Sequence, residues 1–354
     1  MVREHDPARE RLIWELHSRA GVPALGAATV TTDGLEWIAV VGERVRGQSN
    51  RVKLGDRWHL GSCTKAVTAV HVARLVEAGH VRWDTTVPEL FDRVLPGATH
   101  PDWGPITLDQ LLTHRAGLPR DLPPAALATA QRDTRLLTQQ RLDATAMALA
   151  TPPDGVGTFS YSNLGYIVAG AAIEQLTGQS WEASVSAHVL SPLGITTAGF
   201  GPPTGDQPWG HSATRGGRGP SRPVAPSTPR GRNAAADNPP VMSPAGRLHL
   251  SLPDWAKFIT LFLTEGGPLL TSSSITRIAT APPGPRPRQA MGWALPAAGA
   301  APEFALGQQG TNTLWVATAL TAAGRDRAAL VVCNDGRDQL VNLTAKVAAD
   351  LLRT

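Results

Sequence analysis

Apolar residues recur at helical spacing near the start of the chain. Leu12, Ile13, Leu16 and Ala20 predict a helix over about residues 4–20. Two β-like runs follow, Ala24–Val30 and Leu35–Val41, joined by Thr-Thr-Asp-Gly, whose Asp33-Gly34 pair signals a hairpin. Trp58-His59-Leu60-Gly61 reads as a short strand entering a turn. Thr64 to Ala78 reads as a helix, apolar at Ala66, Val67, Ala69, Val70, Ala73 and Val76, with Gly79 at the expected stop. Further helices are predicted at Leu108–Leu112, Arg135–Ala150, Asn163–Leu176 (closed by Gly178), Ser180–Leu190 (ending before Pro192) and Asp254–Thr264. Strand character returns at Met291–Leu295, Glu303–Leu306, Thr313–Leu320 and Ala328–Cys333, and a final helix spans about Gln339 to Leu352.

Strands at both ends can share one sheet. The expected class is α+β: an antiparallel β-sheet flanked by helices, with an inserted all-helical region. Residues 1–61 and 285–354 form the expected sheet half of a single unit over 1–354. Residues 62–284 form a mostly helical half, in which 202–240, rich in Pro, Gly, Arg and Ser, reads as a long surface loop.

Composition narrows the function classes. Apolar residues make up 42% of the 354 and charged residues 18%, a globular balance. The net charge of +4 comes from arginine. Arg215, Arg218, Arg222, Arg230 and Arg232 crowd one Gly/Pro-rich stretch, which reads as a solvated loop, so no nucleic-acid partner is expected. Cys63 and Cys333 lack a C-x-x-C spacing and read as buried thiols. The ten histidines show no H-E-x-x-H or comparable cluster, so neither metal nor cofactor is expected. There is no apolar run of membrane-spanning length and no signal-peptide pattern at the start. The chain as it stands reads as cytoplasmic without a membrane partner, or periplasmic or secreted if a leader has been removed.

Three elements carry candidate chemistry. In Ser62-Cys63-Thr64-Lys65, helical spacing puts the amine of Lys65 beside the hydroxyl of Ser62. A serine hydroxyl needs a neighbouring base to become a nucleophile, and a lysine serves once burial lowers its pKa. A helix cap followed by a surface lysine would read the same way. Only four of the 33 basic residues are lysine, however, so solvation here falls mostly to arginine. Tyr161-Ser162-Asn163 opens another predicted helix. Its phenol can relay a proton, and its amide can accept from Lys65 and donate to a substrate carbonyl. A core aromatic before a helix cap is the plainer alternative. Gly307-Gln308-Gln309-Gly310-Thr311-Asn312 fits a glycine-flanked edge strand that lets substrate approach the backbone, or else a plain turn.

Together these residues resemble the penicillin-recognising serine enzymes, in their class C β-lactamase-like branch. Leu111-Leu112-Thr113-His114-Arg115-Ala116-Gly117-Leu118-Pro119 is similar to that family's LLTHTSGLP segment. Ser191-Pro192-Leu193-Gly194-Ile195 with Phe200-Gly201 resembles its PLGM…FG segment, and Ser243-Pro244-Ala245-Gly246-Arg247-Leu248 with Asp254 its PAGGL…D segment. The resemblance spans roughly residues 24–335. It implies a cleft between sheet and helices, an acyl-enzyme on Ser62, and proton transfer shared by Lys65 and Tyr161. Asn163, Gln308, Gly310 and Thr311 would face substrate, with the backbone N–H groups of Ser62 and Thr311 as oxyanion hole. The substrate would be a small molecule or peptide with an ester, amide or β-lactam carbonyl.

One position departs from the pattern. The family usually carries Lys or His where this chain has Gln308, in a K-T-G or H-x-G element. A neutral amide cannot pair with a substrate carboxylate, which disfavours β-lactams and suits uncharged esters or amides. It also fits a weakened enzyme or a non-catalytic relative that binds a ligand in the same cleft. An α/β-hydrolase is disfavoured, since no G-x-S-x-G surrounds Ser62. His114 and His211 read as structural first and substrate-facing second. Trp209, Trp293 and Trp315 suit cleft lining and core equally.

Overall fold

The computed structural model describes residues 5–214, 219–227, 236–283, 288–296 and 304–354. Helix α1 (Pro7–Ala20) starts where Asp6 accepts from the N–H groups of Ala8 and Arg9, and stops where Gly21 turns left-handed at φ 58°. Strands β1 (Ala24–Thr31) and β2 (Gly34–Gly42) form the predicted hairpin. Strand β3 (Arg57–His59) passes through a 3₁₀ turn, Gly61–Cys63, into α2 (Thr64–Glu77). The helical stretch contains α3 (Val87–Phe91), α4 (Leu108–Leu112), α5 (Pro124–Ala130), α6 (Leu137–Leu149), α7 (Asn163–Thr177) and α8 (Trp181–Val185). After it come β4 (Gly199–Phe200), β5 (Gly210–Ser212), β6 (Arg222–Val224), α9 (Ser243–Gly246), β7 (Leu248–Ser251), α10 (Leu252–Leu263) and α11 (Ser272–Ile278). Strands β8 (Gly307–Thr311), β9 (Val316–Thr321) and β10 (Arg327–Cys333) precede α12 (Gln339–Arg353).

The main sheet is antiparallel with strand order β2-β1-β10-β9-β8, so the first and last strands of the sequence meet at β1 and β10. This is the expected α+β layout. On one face, Ile13, Leu340, Val347 and Leu351 from α1 and α12 bury against Leu25, Trp37, Val316 and Val331. On the other, α2, α10 and the helical region cover Ala28, Val30, Ala317, Leu330 and Val332. Helix α2 is buried nearly all round, including Thr64, Lys65, Thr68 and His71, which marks it as the central helix between the layers.

Several expectations are corrected. Met291–Leu295 is not a strand: Ala290 donates back to Trp293 O at 2.8 Å and Gly292 turns at φ 80°. A Cβ at Gly292 would lie 2.5 Å from Ala66 N, so this apolar run is a tight loop packed on α2. In Glu303–Leu306, Glu303 lies outside the described residues, and the strand begins at Gly307. Ser180–Leu190 is helical, but its second half is a π-helical segment, Ser186–Leu190. Within 202–240, β5 and β6 pair, and His211, Ser221 and Asp237 are buried. That stretch is therefore partly built into the core rather than a surface loop throughout. Arg215, Arg218, Arg230 and Arg232 fall outside the described residues. Helix α10 packs on the sheet, with Leu252 against Gly26, although it lies in the stretch assigned to the helical half. Cys63 and Cys333 are free and buried. Among the described residues no helix is long and apolar enough to cross a membrane.

Candidate active site

Ser62 sits in the turn that feeds α2, and Lys65 lies one helical step on. Lys65 is 2% exposed, and its Nζ donates to Asn163 Oδ1 at 2.7 Å and to Ala245 O at 2.7 Å and lies 3.3 Å from Ser62 Oγ. Burial pushes the Lys65 pKa below its usual value, while Tyr161 and Asp121 pull it back up. A neutral amine keeps two N–H groups and one lone pair. The two short contacts absorb the N–H groups, which leaves the lone pair for Ser62 at the longest.

Tyr161 reaches Ser62 from the start of α7, and its hydroxyl donates to Ser62 Oγ at 2.8 Å. The segment before α7 is held by His114, a non-glycine residue at φ 60°. His114 O accepts from Ser160 N at 2.8 Å and its Nδ1 accepts from Ser162 N at 3.0 Å. Its ring lies 4.6 Å from that of Tyr161. Burial, reinforced by the charge of Lys65, pushes the His114 pKa down to about 3, so this imidazole is a neutral acceptor. Asn163 accepts from Lys65 as expected. Its Nδ2, expected to serve a substrate carbonyl, donates instead to Asp121 Oδ1 at 2.7 Å, which occupies one of its two N–H groups.

The opposite wall is β8, at the sheet edge. Among the described residues, Ala294 covers only its first residue, exchanging hydrogen bonds of 2.7 and 2.9 Å with Gly307. Backbone groups alternate sides along a strand, so Gln309 and Thr311 direct their N–H and C=O groups to the same outer edge. A Cβ on Gly310 would lie 2.0 Å from Leu60 O and 2.6 Å from Ser62 N, and one on Gly61 would lie 2.5 Å from Thr311 N. The two glycines thus let the Ser62 turn press against β8, which brings the Thr311 N–H beside that turn. Gln308 is 4% exposed, and both polar atoms of its amide lack a hydrogen-bond partner.

A second network sets the turn. His59 Nδ1 accepts from Gly61 N at 3.1 Å, and its Nε2 lies 2.9 Å from Asp237 Oδ2. Asp237 also accepts from Arg247 Nε at 3.2 Å and Asn312 Nδ2 at 2.9 Å. One buried carboxylate therefore ties β3, β7 and the end of β8 together. Sequence reasoning missed His59, Asp237 and Asp121, and missed the carbonyl of Ala245, because nothing local marks a residue as the partner of one 40 to 180 positions away.

Two cavity lobes meet at Ser62 and Tyr161. The larger, about 620 Å³, runs past Lys65, Gln308 and Phe304 to α12. The smaller, about 510 Å³, is lined by Arg120, Asp121, Asn163, Asn312 and Thr311 among others. Neither lobe is lined by His114 or His211, nor by Trp209, Trp293 or Trp315. His211 sits between Arg46 N and Asn334 O, Trp293 packs on Phe262, and Trp315 on Trp58. These side chains serve the core, where their apolar area is buried.

The sheet flanked by helices, the helical region beside it and the serine cleft between them define a β-lactamase/transpeptidase fold. The chain belongs to the Beta-lactamase family, whose profile matches residues 10–352. It is 33% identical over 184 residues to penicillin-binding protein 4 of Amycolatopsis lactamdurans, a match covering 51% of this chain and 45% of that protein. It thus spans under half the length of that relative. A class C β-lactamase from Rhodobacter sphaeroides superposes with TM-score 0.76 at 16% identity, over 98% of this chain and 99% of the other. The D-amino acid amidase of Ochrobactrum anthropi SV3, in complex with L-phenylalanine amide, gives TM-score 0.76 at 18% identity, over 98% of each chain.

Proposed function

We propose that this chain is a serine hydrolase that forms an acyl-enzyme on Ser62 from an ester or amide of a small molecule or peptide. The observation carrying this reading is the convergence of Lys65 and Tyr161 on the Ser62 hydroxyl. In acylation, Ser62 Oγ bonds to the carbonyl carbon and its proton passes to the neutral amine of Lys65. Tyr161 gives its proton to the leaving oxygen or nitrogen as that bond breaks. In deacylation, water loses a proton to the Tyr161 phenolate and attacks the acyl carbon, and Lys65 returns a proton to Ser62 as the ester bond breaks. The N–H groups of Ser62 and Thr311 hold the developing oxyanion, each such donor typically being worth ~3 kcal/mol. Gln308 favours substrates without a carboxylate beside the scissile bond, and Asn163 fixes the amine of Lys65.

A fluorophosphonate probe followed by intact mass tests the reading. One adduct is expected on the native chain and none on Ser62→Ala. No adduct on the native chain would establish the alternative that Gln308 favours, a relative that binds a ligand in this cleft without acyl transfer. A panel of p-nitrophenyl esters, nitrocefin and D-alanyl peptides then ranks substrates.

A further inference from the structure

The larger lobe does not end at the reacting atoms. It curls around the β8 edge of the sheet. Gln308 pairs with Ala319, whose side chain belongs to the core on the α2 face, and Gly307 pairs with Leu320, which belongs to the core on the α12 face. The side chain of Gln308 therefore stands on the Ser62 side of β8. Beyond it the cavity crosses Gly307 onto the α12 face, where Leu320, Phe304, Ala345 and Ala349 line it together with the solvent-exposed Lys346 and Arg353. Glycine at 307 lets Leu320 and Phe304 pack onto the strand and form this wall: a Cβ there would meet Leu320 Cδ2 at 3.0 Å and the Phe304 ring at 3.2 Å. Ala345 and Ala349, four apart on α12, present one low face.

Gln308 supplies the independent sign of a ligand. An amide 4% exposed with neither its oxygen nor its nitrogen bonded costs free energy unless something else completes it. It needs one acceptor and one donor at once, and a neutral secondary amide offers both. A carboxylate offers no donor.

Resting on the reading of Ser62 as the acylated residue, we propose that this lobe is the specificity subsite for a substrate in which a neutral secondary amide docks on Gln308 and carries an apolar chain into the groove over Gly307, Ala345 and Ala349. A volume of about 620 Å³ is in the range of sites that enclose a ligand of this kind.

The test reads binding without turnover, using the full chain carrying Ser62→Ala. The probes are N-hexylacetamide and nonan-2-one, which differ by one amide N–H, titrated by calorimetry. The amide should bind roughly tenfold more tightly. Gln308→Leu should abolish that preference, with Gln308→Met as the second variant should the first not fold. Ala349→Leu should weaken both probes by at least ~5-fold by filling the groove. Equal binding of the two probes, a preference that survives loss of the glutamine, or an unchanged affinity in Ala349→Leu would each overturn the subsite. These outcomes are separate from the adduct on Ser62: either result can fail alone.

Discussion

The phenolic hydroxyl of Tyr161 donates to Ser62 Oγ at 2.8 Å across 99 positions of sequence. Tyr161→Phe removes that proton and keeps the ring that stacks on His114. kcat should fall by about 10²–10⁴ with little change in thermal stability. Lys65→Met should fall in the same range, and the double variant should be no worse than the poorer single one, because the two residues serve one proton path. Steady-state kinetics beside circular dichroism checks this, and full activity in Tyr161→Phe would remove the phenol from the mechanism.

The pH dependence should respond to Asp121. On the proposed mechanism Lys65 works as the neutral amine, so activity should fall on acidification as it takes up a proton. Asp121 raises the Lys65 pKa, although burial lowers it more. Asp121→Ala should therefore move the acid limb of kcat to lower pH. Tyr161, His114 and the carbonyl of Ala245 face the same amine and are unchanged in this variant, while Asn163 loses the bond from its Nδ2 and keeps its oxygen on Lys65. A limb that stays in place or moves upward would contradict the assignment.

Gln308→His tests the residue that departs from the family pattern. An imidazole there can take up a proton beside a bound carboxylate, and the resulting pair should raise kcat/KM for carboxylate-bearing substrates such as nitrocefin by about tenfold over its effect on a simple ester. Equal effects on both would place position 308 out of contact with substrate.

Acid should unfold this protein through its buried histidines. Burial pushes His71 and His114 down to about 3, and His211 and His249 down to about 4, from an ordinary 6.5. The unfolded chain takes up these protons near pH 6.5 and the folded one does not. Their contribution is thus complete above pH 6.5 and is lost as pH falls toward 3 to 4. Urea midpoints measured from pH 7.5 to 4.5 should fall steeply, and His211→Asn should flatten the slope. A midpoint independent of pH over this window would refute the assignment.

Much of this protein is written locally in its chain. The 3.6-residue period and the Gly79 stop define α2, the Asp33-Gly34 pair defines the β1–β2 hairpin, and the Ser62-x-x-Lys65 spacing puts amine and hydroxyl on one helical face, because each depends on neighbours a few residues apart. Apolar runs such as Met291–Leu295 carry a strand-like pattern yet form a loop, because burial alone does not distinguish a strand from a loop pressed on a helix. Tertiary structure alone decided which distant groups meet. The Ala245 carbonyl and Asn163 claim the N–H groups of Lys65, Asp121 takes an N–H of Asn163, and the carboxylate of Asp237 gathers His59, Arg247 and Asn312. Hydrogen bonds are short-ranged, so these pairings exist only once the sheet and the helical region close on each other. The burial of Lys65 that tunes its proton affinity belongs to that closure and not to any stretch of sequence.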